Sequence, residues 1–145
     1  MHVRHILEDK GRDIVAIDSK ASMSEAAHLL AARRLGAVIV QDKGGMLAGI
    51  LSERDVVRAI ADDGALALER GVSSYMTRAV ATCTESDTVE ALMEMMTLGR
   101  FRHIPVLDSQ HKLCGMISIG DVVKSRIAET VNEANSLRDY ISATA

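Results

Sequence analysis

Ser52 and Asp55 stand three residues apart, and the same pair returns as Ser118 and Asp121. A hydroxyl and a carboxylate at this spacing support two kinds of chemistry. In a capping box the Ser oxygen takes a free amide of a helix's first turn, and the acid reaches back to the Ser amide. In a ligand site, a carboxylate where a strand meets a helix accepts both hydrogen bonds of a vicinal diol, as on a ribose. The open N–H groups of such a helix end also suit a phosphate or another polar group. Asp itself repels phosphate, so the sugar is what it would hold. Capping alone explains one copy; two copies in equivalent places turn the reading toward a ligand.

The elements that must position these residues are written twice as well. Leu47-Ala-Gly-Ile-Leu-Ser-Glu-Arg-Asp-Val-Val57 returns as Leu113-Cys-Gly-Met-Ile-Ser-Ile-Gly-Asp-Val-Val123, and residues 14–57 align with 80–123 without a gap. Ile14 falls on Val80, Met23 on Val89, Leu30 on Met96, Arg34 on Arg100, Val40 on Val106 and Gly49 on Gly115. Such self-similarity marks a duplication.

Each copy opens with a brief strand, at 14–17 and 80–83. Helix starts are signalled by Ser22-x-x-Glu25 and Asp87-x-x-Glu90. Met23, Ala26, Ala27 and Leu30, and likewise Val89, Leu92, Met93 and Met96, recur at helical spacing. Two apolar runs follow, at 37–40 and 47–51 and again at 103–107 and 113–117. Runs without alternation suit strands buried on both faces. The closing helices begin at Ser52 and Ser118. The last one is expected to run on to about Ile141, with Ile127, Val131, Ala134, Leu137 and Ile141 on one stripe. That stripe folds back on its own domain or packs on a second copy.

The fold class expected is α/β: two tandem β-α-β-β-α repeats at 1–66 and 67–127, and a C-terminal helical extension at 128–145. Short lead-ins, 3–10 and 72–77, precede the first strands. A repeat of this size is marginal as an independent core. The halves should therefore pack face to face about an approximate two-fold axis.

Composition narrows the function. Apolar residues make up 48% of the 145 residues, aromatics 2%, and the net charge is −3. Single-stranded nucleic-acid binding needs stacking platforms and a basic groove, so no nucleic-acid partner is expected. The N-terminus lacks the apolar block of a signal peptide, and no apolar run approaches a membrane span; a cytoplasmic protein without membrane contact is expected. Cys83 and Cys114 show no metal or redox spacing and read as small hydrophobes.

The paired Gly-apolar-apolar-Ser-x-x-Asp-Val-Val, the lead-in Tyr75-Met76-Thr77 and the run Arg102-His103-Ile104-Pro105-Val106 together resemble the cystathionine β-synthase (CBS) domain pair, or Bateman module. The resemblance covers nearly the whole chain. It implies a stand-alone, non-catalytic sensor that binds adenosyl ligands between the repeats: AMP, ADP or ATP, with NAD(H) or S-adenosylmethionine as further candidates. It implies no catalytic cofactor, a homodimer formed through the repeat faces or the C-terminal helix, and an unnamed protein target that reads occupancy. Asp55 and Asp121 would hold the ribose hydroxyls, with Ser52 and Ser118 beside them. Thr77, Val80, Ala81, Ile104 and Pro105 would face the Asp55 cleft, and Ile14, Val15, Ala37 and Val38 the Asp121 cleft. Arg102 and His103 would lie near phosphates, with Arg54 and Lys124 as further candidates.

The copies differ where it matters. Arg102 and His103 answer to Gly36 and Ala37, Pro105 to Ile39, and Arg54 to Gly120. One cleft should therefore bind more strongly, and these residues leave open which. His103 is either a structural histidine or a phosphate contact. Pro105, the sole proline, marks a strand edge or a ligand-facing position. Three rival functions can be set beside the sensor. An enzyme is not expected, because no G-x-S-x-G elbow is present and the serines cap helices. Metal binding by His2 with His5, or His103 with His111, lacks a full ligand set. A dimerisation or docking module with vestigial clefts is the alternative.

Overall fold

The computed structural model describes residues 1–144 of the chain. Helix α1 (Val3–Lys10) leads into a three-stranded sheet built from β1 (Ala16–Asp18), β2 (Ala37–Gln41) and β3 (Leu47–Ser52). Helix α2 (Met23–Arg33) crosses between β1 and β2, which run parallel; β2 and β3 form an antiparallel hairpin. Helix α3 (Glu53–Asp63) closes the first half. The second half repeats the order with α4 (Val89–Gly99), β4 (His103–Leu107), β5 (Leu113–Ser118) and α5 (Ile119–Thr144). Both hairpins carry a register shift at the same place, Val40/Gln41 and Val106/Leu107. This mixed α/β architecture of two repeats and a C-terminal helix is the expected one. The sequence limit 145 of the extension lies outside the described residues.

One expected strand does not form. Residues 80–83 make a single parallel bridge, Cys83 to Val106, in place of a strand. In the first half the Ile39 amide donates to the Val15 carbonyl at 3.3 Å. Pro105 occupies the matching position and has no N–H to donate. The ladder shrinks to the bonds around Cys83, whose amide donates to Pro105 O at 3.0 Å and whose carbonyl accepts from Leu107 N at 2.8 Å. A second difference concerns α4: Thr88, not Asp87, caps it by accepting from the Ala91 amide. Asp87 instead accepts from the Thr84 amide at 2.8 Å.

The lead-ins are exchanged between cores. Val3, Ile6 and Leu7 of α1 pack with Cys83, Val89, Leu92, Met96, Ile104, Val106, Ile117 and Val122, all of the second half. Ala67, Val72 and Met76 pack with Met23, Ala26, Leu30, Val38, Val40, Leu51 and Ala59 of the first. The ties are backbone bonds as well: Val3 N to Asp87 O at 2.9 Å, and Val72 N to Ala21 O at 2.9 Å. Burying side chains of the size of Val3, Ile6 and Leu7 stabilises by roughly 1.5–3 kcal/mol each, so α1 is firmly seated. The glycines of the repeated motif make room for this packing. A Cβ on Gly49 would lie 2.5 Å from Thr77 O and 2.9 Å from Met76 Sδ; one on Gly115 would lie 2.7 Å from Leu7 Cδ2.

Helix α5 is anchored by its first two turns, with Val122 and Ser125 buried, and by Arg126, which donates to Glu90 at 3.2 Å and to Glu129 at 2.9 Å. The apolar stripe beyond is not folded back on the domain: Ile127, Val131, Leu137 and Ile141 are 51–61% exposed. Among the described residues no helix is long and apolar enough to cross a membrane.

Candidate functional site

Both repeated Ser–Asp pairs do form capping boxes. Asp55 Oδ2 accepts from the Ser52 amide at 2.8 Å and from its hydroxyl at 3.1 Å, and Ser52 Oγ accepts from the Asp55 amide at 3.2 Å. Asp121 Oδ2 accepts from the Ser118 amide at 2.8 Å, and Ser118 Oγ from the Asp121 amide at 3.2 Å. Capping uses one carboxylate oxygen in each copy. Neither Asp55 Oδ1 nor Asp121 Oδ1 has a hydrogen-bond partner among the described residues. A carboxylate offers about four acceptor sites, so the cap does not exhaust Asp55.

Asp55 opens onto a cleft of about 390 Å³ between the halves. Its walls come from four segments. The turn from β3 into α3 supplies Ile50, Ser52, Glu53, Arg54, Asp55 and Arg58. The linker supplies Thr77, Ala79, Val80 and Ala81; the approach to β4 supplies Arg100, Phe101, Arg102 and His103; Gly36 completes the wall. The linker is held there because Thr77 and Ile50 exchange backbone bonds of 2.9 and 3.0 Å. Thus Ser52, Arg54, Asp55, Thr77, Val80, Ala81, Arg102 and His103 line one cavity. Ile104 and Pro105 do not: both are buried in β4 outside the lining, and Ile104 belongs to the second core. Their strand turns them into the sheet, behind the His103 that does reach the cleft. Arg58, Arg100, Phe101, Glu53, Ala79, Ile50 and Gly36 were not singled out from the sequence. Arg58 could have been, because it lies one helical turn beyond Arg54.

The Asp121 side is built differently. Helix α1 stays helical to Lys10, and the Lys10 ammonium donates to Asp121 Oδ2 at 2.7 Å and to Met116 O at 2.8 Å. Met116 answers to Ile50 in the repeat. Where Ile50 O takes the Thr77 amide, Met116 O takes a lysine side chain. Burial works to raise the Asp121 carboxyl, but the Lys10 ammonium and the Ser118 bonds outweigh it and hold it below the usual carboxylate range. Of the other residues expected here, Ala37 and Val38 are fully buried in β2, Ile14 and Val15 are half-buried, and Lys124 is exposed on α5.

His103 sits between the two sides. A Cβ on Gly36 would lie 3.4 Å from His103 Cε1 and 3.5 Å from Glu53 Oε1, so the glycine leaves the ring its space. Burial and the nearby Lys10 and Arg102 charges lower the His103 pKa, against the opposing pull of Asp121 and Glu53. The ring is therefore neutral at neutral pH. Burial pushes the Cys83 thiol up to about 12, which fits a core residue. Among the described residues no group of three or more His, Cys, Asp or Glu is placed to hold a metal ion.

Comparison with known proteins bears on this geometry. The CBS domain family profile matches residues 3–62 and 72–128. A crystal structure of a CBS-domain containing protein from Agrobacterium tumefaciens is 48% identical with a TM-score of 0.82, over 86% of this chain and 98% of that one. A CBS domain protein of Pyrobaculum aerophilum, complexed with AMP, is 25% identical with a TM-score of 0.75, over 83% and 89% of the two chains. A mitochondrial CBS domain-containing protein of Arabidopsis thaliana is 36% identical over 121 residues, 81% of this chain and 58% of that protein. An uncharacterized protein of Acidianus ambivalens is 30% identical over 112 residues, 77% of this chain. The chain spans 66% and 58% of the lengths of these last two relatives. Two matched repeats, exchanged lead-ins and a cleft between the halves lead to one conclusion: the chain belongs to the CBS domain family, as a pair of CBS repeats.

Proposed function

We propose that this CBS pair is a non-catalytic sensor of an adenosyl ligand, and that the Asp55 cleft is its principal site. The observation that carries the reading is the half-used Asp55 carboxylate at the edge of a 390 Å³ cleft. Asp55 Oδ1 would accept the ribose hydroxyls, with Ser52 and Thr77 beside it. Val80, Ala81 and Ile50 would pack on the base, and Arg102 and His103 would meet phosphate. The AMP complex of the Pyrobaculum relative supports the ligand class. On the other side Ser118, Asp121, Ile14, Val15, Ala37, Val38 and Lys124 would form a weaker site, because the Lys10 ammonium already neutralises the carboxylate a sugar would use. Contacts from both halves would shift how they sit together, and a protein target would read the change.

A thermal-shift and titration panel of AMP, ADP, ATP, NAD(H) and S-adenosylmethionine tests the reading. A ligand at 100 times its Kd stabilises by about 2.7 kcal/mol. Asp55→Asn should weaken binding about tenfold or more, since a charge-assisted bond is worth roughly 1.5–3 kcal/mol. The unliganded Tm should hardly move, because the Asn amide oxygen can still accept from the Ser52 amide, and Ser52 remains the N-cap. Equal ligand affinity in Asp55→Asn would leave Asp55 with capping alone. No shift with any adenosyl compound would favour the second reading, an assembly or docking module. That reading is supported by the apolar side chains left in solvent, Val57 at 66% and Leu137 at 61% exposure. A homodimer through the helix faces and α5 is compatible with both.

A further inference from the structure

The Asp55 cleft gathers four arginines, Arg54, Arg58, Arg100 and Arg102, in a chain whose net charge is −3. None of the four has an ion pair or a side-chain hydrogen bond among the described residues; Arg4, Arg33, Arg34 and Arg138 share that property, so what sets the four apart is their gathering at one cleft. Among the residues lining the cleft, the carboxylates are Glu53 and Asp55, so the arginines outnumber them two to one. An excess of like charge in one cleft opposes folding and attracts an anion.

The duplication supplies an internal control. In the other copy Gly120 stands for Arg54, Gly36 for Arg102 and Lys124 for Arg58; only Arg100 keeps its counterpart, Arg34. The folding of the repeat therefore does not require guanidinium groups at 54, 58 and 102. Their concentration in the open cleft is a property of that cleft.

Building on the adenosyl reading of the same cleft, we infer that these arginines form a polyphosphate subsite, so that the ligand is a nucleoside di- or triphosphate. Each guanidinium is a planar fork matched to a pair of phosphate oxygens. A terminal monophosphate has three such oxygens and is filled by two forks; four forks need a chain of phosphates. Arg54 and Arg58 are four apart on α3, with Cβ atoms about 5–6 Å apart on one helix face. Arg100 and Arg102 come from the opposite half, at the α4–β4 turn. Arg100 is set there by a left-handed backbone (φ 56°), and Arg102 by its carbonyl, which accepts from Ile119 N at 2.8 Å. A polyphosphate would thus be gripped from both halves at once, and each added phosphate would tie α3 of one to the α4–β4 turn of the other. The same charges disfavour a cationic sulfonium nucleoside.

The test is a titration calorimetry series on the full chain with AMP, ADP, ATP, S-adenosylmethionine and inorganic tripolyphosphate, repeated with Arg58→Ala and Arg100→Ala. Affinity should rise from AMP to ATP by at least tenfold, with S-adenosylmethionine weakest. Both substitutions should lower ATP affinity at least five times more than AMP affinity. Equal binding of AMP and ATP, or equal losses for both ligands in the variants, would overturn the subsite and leave the adenosyl reading standing. Tripolyphosphate binding that needs Arg58 and Arg100, with no gain from an attached adenosine, would do the reverse. No binding of any member would overturn both.

Discussion

Replacing Lys10 by methionine should open the second cleft. The substitution keeps the length of the side chain and deletes the ammonium that donates to Asp121 Oδ2 and Met116 O. The ion pair is 38% and 22% exposed, so solvent screening limits it to about 0.2–1 kcal/mol. The bond to the Met116 carbonyl adds a charged-donor contribution of similar size. A sugar diol that grips Asp121 through both carboxylate oxygens must displace the ammonium from Oδ2, and with it the bond to Met116 O, at a total of about 1–2 kcal/mol, or five- to thirtyfold in affinity. Helix α1 should stay in place, because Val3, Ile6 and Leu7 remain in the second core. Adenosine is the suitable probe: it carries the diol without phosphate, so the lost charge acts on the sugar alone. An NMR titration reads each cleft separately, through the Ser118 and Asp121 amides on one side and those of Ser52 and Asp55 on the other. The Kd from the Ser118 side should tighten five- to thirtyfold, while the Ser52 side moves less than about twofold. A Ser118 curve that is unchanged or weaker in Lys10→Met would refute the reasoning, and would mean that Lys10 is a spectator or itself a ligand group.

Two further expectations concern packing and pH. Gly49→Ala should destabilise by about 1–3 kcal/mol, the usual cost of overpacking, and more than Gly115→Ala. The first Cβ meets the rigid Thr77 carbonyl at 2.5 Å, the second only the movable end of Leu7; denaturant melts of the two variants will rank them, and the opposite order would contradict the exchanged lead-ins. His103 is held neutral by burial, so a phosphate placed beside it should raise its pKa and draw in a proton. ATP binding should therefore strengthen as pH falls from 8 toward 6, with proton uptake visible as a buffer-dependent heat. His103→Gln should abolish that uptake, apart from what the phosphate itself titrates, and an unchanged uptake in the variant would remove His103 from the phosphate site. The free protein carries the linked effect. With the folded pKa below the unfolded value, the histidine favours folding less as pH drops through the unfolded pKa.

Much of the architecture was legible because its signals are local. The Ser caps of α2, α3 and α5, the apolar runs of β2–β5 and the internal repeat are set by neighbours within a few residues, and they mark the Ser52–Asp55 and Ser118–Asp121 junctions without reference to the rest of the chain. Where the reading failed, a distant partner decided. The strand expected at 80–83 was lost because Pro105, more than 20 positions on, has no amide to complete its ladder. Ile104 left the expected wall because alternation along β4 turns it to the core, opposite His103, and Pro105, on the face His103 uses, is buried one pair further into the sheet against Met116.

By itself, then, the sequence determined the doubled α/β plan and the carboxylate at each strand-to-helix junction, since hydrophobic spacing and caps act over one or two turns. Only the tertiary structure decided that the lead-ins trade cores, and with that, which junction lies open. Lys10 is 111 residues from Asp121 in the chain, and its pairing follows from where Val3 and Leu7 find apolar cover. The four arginines converge for the same reason, because the packing of the halves brings α3 and the α4–β4 turn to one cleft.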